Sequence, residues 1–187
     1  ALESVRARAW VVGEDLGTVP PLVREEMARR DVLSTRVMWF EPVPPERWPE
    51  CSLAAVTTHD LPTVAGIWTG ADERDQVAYD VQPDARAAAA MKHRLADWMG
   101  IPSDAPVEEA VVAAHRLLAR APSDVALAGL DDALAVTVRP NLPGTSERPN
   151  WCLPLPRPLD TLEQDALLVR VADEMNAGRA GDRSRAG

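Results

Sequence analysis

The sequence predicts an α/β protein on a parallel sheet, with four strand–helix units that make half of an eight-stranded (β/α)8 TIM barrel. Two observations carry this reading. The run VVGEDLG (residues 11–17) delivers Glu14 and Asp15 from an apolar stretch into a turn that Gly17 and Pro20 close, and AAVTTHD (residues 54–60) repeats the design with His59 and Asp60. Strands buried in parallel sheets read this way, apolar along their length and polar only at the carboxyl end. The β-rich runs also alternate with helical stretches, the pattern of parallel sheets and barrels. In such barrels the chemistry sits at the carboxyl ends of the strands, so Glu14 and the His59–Asp60 pair are expected to line one mouth.

In chain order, residues 1–9 carry Leu2, Val5 and Ala9 at helical spacing and feed the strand through Glu14. Pro20 and Pro21 open a helix, PLVREEMARRD, with Glu25 and Glu26 early and Arg29 and Arg30 late, as the helix dipole favours. A β-rich run follows at Arg36–Glu41 (RVMWFE). Pro42, Pro44, Pro45 and Pro49 exclude a helix from the next stretch. After the strand to Asp60, Pro62 starts a short helix carrying Val64, Ala65, Ile67 and Trp68. Residues 70–83 read as an exposed acidic excursion. Ala85–Met99 is a helix ended by Gly100 and Pro102, and Asp104 is placed to cap another from Val107 to about Ala119. Val125–Leu130 is a strand ending in Asp131 and Asp132, RPNLPGTSERPNW is loop by composition, and Pro158–Met175 is an amphipathic helix. The boundaries are thus 1–177 for a partial barrel and 178–187 for a disordered tail. The opening ALESVRARAW lacks an initiator Met, and four units are half a barrel, so the chain reads as a piece of a longer protein.

The 187 residues are 46% hydrophobic and 26% charged, an ordinary globular composition long enough for one core. A formal charge of -9 argues against nucleic acid or an anionic membrane as partner. No apolar run approaches the roughly 20 residues of a membrane span. Cys51 and Cys152 are far apart without metal-type spacing, which suits a reducing, cytoplasmic setting. No CxxC, HExxH, P-loop or GxSxG motif occurs, so no metal or cofactor is expected.

Glu14 and Asp60 are the sharpest candidates for chemistry. Cleaving a glycosidic bond needs a proton donor at the leaving oxygen and negative charge beside an oxocarbenium-like centre. The same two residues could instead cap helices or pair with arginines, and the pattern alone leaves both readings open. His59 next to Asp60 would point to the opposite side if the strand continued, and to the same side if it had ended. His93 and His115 fall on helices as structural residues. Trp39, Trp48, Trp68 and Trp151 lie in or near loops, where an exposed indole can stack on a sugar face and a buried one is packing. Asp15, Glu41, Asp131 and Asp132 read as hydrogen-bond fixtures or groups behind the site.

Four motifs in order, GEDLGTVPP, RVMWFE, THDLPTVAGIW and RPNLPGTSERPNW, resemble the second half of the amylomaltases, the 4-α-glucanotransferases also called disproportionating enzymes. The likeness runs from about Trp10 to about Met175 and matches least well in the acidic excursion and the helices inserted before the last strand. It implies the C-terminal half of the barrel, about strands 5 to 8, and a retaining double-displacement transfer of α-1,4-glucan segments between maltodextrins. It implies Glu14 as general acid/base and Asp60 as the carboxylate that binds sugar hydroxyls and stabilises the transition state. His59 would contact the same ring, with Trp68 and Asp15 as further substrate-binding positions. The nucleophilic aspartate would lie on the preceding strand, outside this sequence, so the chain alone is expected to be inactive, its partner being the missing N-terminal half. Two alternatives stay open: a hydrolase of the α-amylase group, for which a calcium cluster would speak, and a non-catalytic carbohydrate-binding remnant. A dinucleotide-binding doubly wound sheet is disfavoured because no Gly-rich turn follows the first strand.

Overall fold

The computed structural model describes residues 8–183, with side chains described through residue 179. Four strands, β1 (Val12–Gly13), β2 (Leu33–Val37), β3 (Ser52–Ala55) and β4 (Val125–Leu127), form one sheet in the order β1-β2-β3-β4. All three pairings are parallel, with Gly13 beside Ser34, Ser34 beside Ser52 and Ala55 beside Leu127. Chain order therefore equals sheet order, and every loop after a strand leaves from the same edge. The helix expected over residues 1–9 falls mostly on residues 1–7, outside the described residues, and Arg8 and Ala9 stand in a turn.

Helix α1 (Pro21–Arg29) joins β1 to β2. It starts on proline, as expected, but Glu26 acts within the helix rather than at its dipole end, pairing with Arg29 at 2.7 Å and Arg30 at 3.2 Å. Its Met27 lies on Gly13, where a Cβ would stand 2.6 Å from the Met27 methyl, so the glycine lets helix and strand approach. β2 begins at Leu33 and stops at Val37, earlier than the RVMWFE run predicts. Met38, Trp39 and Phe40 instead form a turn whose Phe40 and Glu41 amides both return to the Val37 carbonyl. Trp39 pins this turn by donating its Nε1–H to the Pro62 carbonyl at 2.6 Å. The proline-rich stretch holds only a 3₁₀ turn, Pro45–Arg47.

Between β3 and β4 come four helices, α2 (Val64–Thr69), α3 (Ala71–Ala78), α4 (Ala85–Met99) and α5 (Val107–Leu118). Helix α4 matches its predicted bounds, capped by the Asp84 carboxylate on the Ala87 amide at 2.9 Å. Asp104 does not cap α5, whose N-cap is Pro106. Residues 70–83 are not an exposed excursion: Ala71–Ala78 is helical and Asp72 is only 5% exposed. Charge hid this helix from a hydrophobic-pattern reading, because its anchors are carboxylates paired with buried arginines.

Helix α5 is the centre of the core, with Ala110, Val111, Val112, Ala113, Ala114, His115, Leu117 and Leu118 all buried. Its alanines admit close neighbours on several sides, α2 and α4 among them. His115 is enclosed with Nδ1 on the Val111 carbonyl at 2.8 Å, and burial pushes its pKa down against the opposing effect of that bond, so that the neutral ring is favoured. After β4 come α6 (Leu130–Ala133), a 3₁₀ turn at Leu159–Gln164 and α7 (Ala166–Arg183). The last helix corrects the expected tail: it passes residue 178 and runs to Arg183. Within it Gly178 lies against the end of α5, so close that a Cβ there would sit 2.6 Å from that of Ala119. Residues 184–187 lie outside the described residues.

Candidate active site

The loop after β1 holds Glu14 between two braced neighbours. Asp15 is 4% exposed, and its Oδ1 accepts the Thr35 amide at 2.8 Å while Oδ2 receives Arg24 Nε at 3.3 Å. Arg24 Nη2 also donates to the Asp15 carbonyl at 3.2 Å, and the Thr35 hydroxyl donates to the Gly13 carbonyl at 2.9 Å. Residues on both sides of Glu14 are thus fixed to β2 and α1, and the Glu14 side chain is left exposed. Asp15 was expected to touch substrate. Its enclosed carboxylate holds the loop instead, and its second role as a hydrogen-bond fixture is the one the structure shows.

His59 and Asp60 follow β3 on a stretch that belongs to no strand, since β3 ends at Ala55. Freed from strand alternation, the two side chains meet, with His59 Nε2 3.4 Å from Asp60 Oδ1. The same oxygen accepts Asn141 Nδ2 at 2.6 Å. Asn141 also donates its amide to the His59 carbonyl at 3.0 Å, and Arg139 Nη1 reaches the Asp60 carbonyl at 2.8 Å. The loop 139–151 therefore closes over this pair and brings Trp151, whose ring lies 4.7 Å from that of His59. Trp151 is 64% exposed and Asp60 half-exposed, so an indole, an imidazole and a carboxylate share one open surface.

The sheet relates the two halves of this site. β2 lies between β1 and β3, which sets their axes about 10 Å apart at the usual strand spacing. Glu14 and Asp60 both follow the carboxyl ends of their strands and lie on the same edge because the strands are parallel. Leu61, the residue after Asp60, joins Trp39, Phe40, Ile67 and Met91 in walling a cleft of about 290 Å³ with Asp72 and Arg139 on its polar side.

Trp68 is placed elsewhere. It is 6% exposed within the core, and its Nε1–H donates to the Ala105 carbonyl at 2.7 Å, so it packs on the inner face of α2 rather than at the open surface. Trp39 and Trp48 are likewise buried. Glu41 pairs with Arg36 at 3.2 Å. Asp132 is buried and accepts the Val64 amide. Sequence reasoning passed over Arg139 and Asn141, although both stand in the RPNLPGT motif that it used. A signal was available: two polar side chains flanking a proline inside a segment too irregular to need them for secondary structure.

Among the described residues no three His, Cys, Asp or Glu side chains gather to hold a metal ion, and no helix is long and apolar enough to cross a membrane. Cys51 and Cys152 are free and exposed.

Fold and site together define an α/β protein whose polar groups are assembled on loops at the carboxyl edge of a parallel sheet. The sequence signature of the 4-alpha-glucanotransferases matches residues 1–160, and the chain belongs to that family. It is 41% identical over 181 residues to the 4-alpha-glucanotransferase of Mycobacterium tuberculosis, a match covering 84% of this chain and 25% of the relative. The Haemophilus influenzae 4-alpha-glucanotransferase is 30% identical over 210 residues, covering 96% of this chain and 29% of the relative. Among solved structures, amylomaltase from Corynebacterium glutamicum superposes with a TM-score of 0.79 at 29% identity, covering 93% of this chain and 30% of that one. Amylomaltase from Streptococcus agalactiae shares the fold, with a TM-score of 0.65 at 16% identity. The chain thus spans between about a quarter and a third of the length of these relatives.

Proposed function

We propose that this chain carries the acid/base portion of a 4-α-glucanotransferase that moves α-1,4-glucan segments between maltodextrins. The observation that carries the reading is the shared edge: Glu14 and the His59–Asp60 pair leave the first and third of four sequential parallel strands on the same side. Strand order equal to chain order, with every pairing parallel, supports an arc of a (β/α)8 barrel, here about its strands 5 to 8.

In the proposed reaction Glu14 donates a proton to the leaving glycosidic oxygen and later withdraws one from the acceptor hydroxyl, cycling between acid and base. Its exposed side chain between braced neighbours suits a group that must meet two successive partners in one place. Asp60, held at Oδ1 by Asn141, hydrogen-bonds sugar hydroxyls and strengthens those bonds as positive charge grows on the ring. His59 contacts the same ring, and Trp151 offers an apolar face beside it. The nucleophile that forms the glycosyl-enzyme belongs to a strand outside this sequence, and the chain on its own is inactive. The two free cysteines fit a cytoplasmic enzyme.

The test is disproportionation of maltotriose, followed as glucose release with chromatography of the longer products. The isolated 187 residues should be silent, and the protein extended upstream to full length should make both glucose and longer maltodextrins. Turnover by the isolated chain would require a nucleophile within it and a new assignment of roles. Release of glucose without longer products would favour a hydrolase.

A further inference from the structure

We propose that Arg139 is a positioning residue for Asp60, tying it to helix α3; the inference rests on the reading of Asp60 as a sugar-contacting carboxylate. Arg139 is 8% exposed and grips Asp72 with two N–H groups, Nε to Oδ1 at 2.7 Å and Nη2 to Oδ2 at 2.5 Å. Its remaining arm, Nη1, donates to the Asp60 carbonyl at 2.8 Å. A guanidinium is planar with its donors in a fixed fork, so seating two of them on Asp72 determines where the third points.

The fork is itself held. Gln76 donates Nε2 to Asp72 Oδ2 at 2.7 Å from one turn further along α3. A second buried arginine, Arg148, donates Nη2 to the Arg139 carbonyl at 2.6 Å and Nε to Asp75 Oδ2 at 2.9 Å. Asp72 and Asp75 lie three residues apart, on neighbouring positions of the helix surface. Helix α3 therefore presents two carboxylates to two arginines of one loop.

Burying such pairs is a weak way to gain stability, because desolvation offsets most of the attraction. The arrangement makes sense as a positioning device. Asp60 lies between the end of β3 at Ala55 and the start of α2 at Val64, where no ladder fixes the backbone. Its bonds to Arg139 and Asn141, with a longer one from its amide to the Thr58 hydroxyl at 3.4 Å, set its place. The charged insertion thus reaches the catalytic edge through one side chain.

The experiment compares Arg139→Lys, Asp72→Asn, their double variant and Asp60→Asn in the full-length glucanotransferase, with kcat and KM for maltotriose disproportionation. Lysine keeps the charge but has no planar fork. Arg139→Lys should lower kcat about 10- to 100-fold, the scale of a misplacement near 1 Å, with KM changed less than about twofold. Asp72→Asn should lose a similar factor, and the double variant should lose no more than either single one. Wild-type kcat in Arg139→Lys, or losses that multiply in the double variant, would overturn the proposal. If Arg139→Lys does not fold, Asp72→Glu keeps the ion pair but lengthens its arm; a comparable kcat loss supports the proposal and an unchanged kcat overturns it. An active Asp60→Asn variant would remove the role of Asp60 itself, whereas an inactive one beside a fully active Arg139→Lys removes only the positioning role.

Discussion

Asp132 and Val64, 68 residues apart in sequence, are joined by a hydrogen bond of 2.7 Å from the first amide of α2 to a carboxylate that is 1% exposed. Beside it the Thr63 hydroxyl caps the same helix at Gly66 and donates to the Val136 carbonyl at 2.6 Å. The segment after β4 is thereby clasped to the helix that follows the His59–Asp60 loop.

This clasp gives stability a pH dependence. Burial, with Asp131 adding like charge, raises the Asp132 carboxyl to about 7 from an ordinary 3.8, against the opposing effect of the Val64 amide. The folded state then keeps a proton that the unfolded chain releases, so stability falls as pH rises from near 4 through 7. Asp132→Asn keeps an acceptor for the Val64 amide and removes the titration. Thermal midpoints measured from pH 4 to 8 should decline for the wild type and stay flatter for the variant; parallel curves would show that Asp132 is not the group responsible.

At the proposed acid/base, Glu14→Gln in the full-length protein should lower transfer about 100- to 10,000-fold while maltodextrin binding, read by calorimetry, stays near normal. The amide keeps the shape of the side chain and cannot cycle a proton. Asp60→Asn should reduce kcat more than it weakens binding. Near-normal turnover in either variant would remove the corresponding role.

The tryptophans divide by burial. Trp68→Ala empties a core position and should destabilise the protein by about 3–5 kcal/mol in chemical denaturation. Trp151→Ala, at an exposed ring beside His59, should change stability by only about 0.5 kcal/mol while raising KM for maltotriose. Reversal of this pattern would return Trp68 to the substrate surface.

Two glycines should respond unequally to a methyl group. At Gly66 an added Cβ would lie 2.8 Å from the Thr137 carbonyl oxygen and 3.0 Å from the Thr63 hydroxyl. At Gly13 it would meet the Met27 methyl at 2.6 Å, the far end of a side chain that can rotate away. Gly66→Ala should therefore cost about 1–3 kcal/mol, and Gly13→Ala less, in urea unfolding.

Sequence reading located the strand-end design because apolar runs ending in acids are a local pattern, and VVGEDLG and AAVTTHD both lie where β1 and β3 end. It began β2 and β3 two or three residues late and ended them four or five residues late. At β2 this is because Met38 and Trp39 are as β-prone as true strand residues and only the return of the Phe40 and Glu41 amides to Val37 makes them a turn. It missed α3, whose buried face is charged and whose partners lie about 70 residues downstream. That Trp68 lies in the core and Trp151 on the surface was hidden for the same reason: exposure is a tertiary property, and an indole reads alike inside and outside.

The two sides of the candidate site differ in the span of chain needed to build them. Asp15 is braced by Arg24 and Thr35, 9 and 20 positions away, whereas Asp60 waits for Arg139 and Asn141, 79 and 81 positions on. During synthesis the Glu14 loop is complete almost as soon as β2 leaves the ribosome, while the Asp60 loop stays unanchored until most of the chain has emerged. The His59–Asp60 side of the candidate site is thus assembled last, with its final pieces supplied by an irregular loop rather than by the sheet.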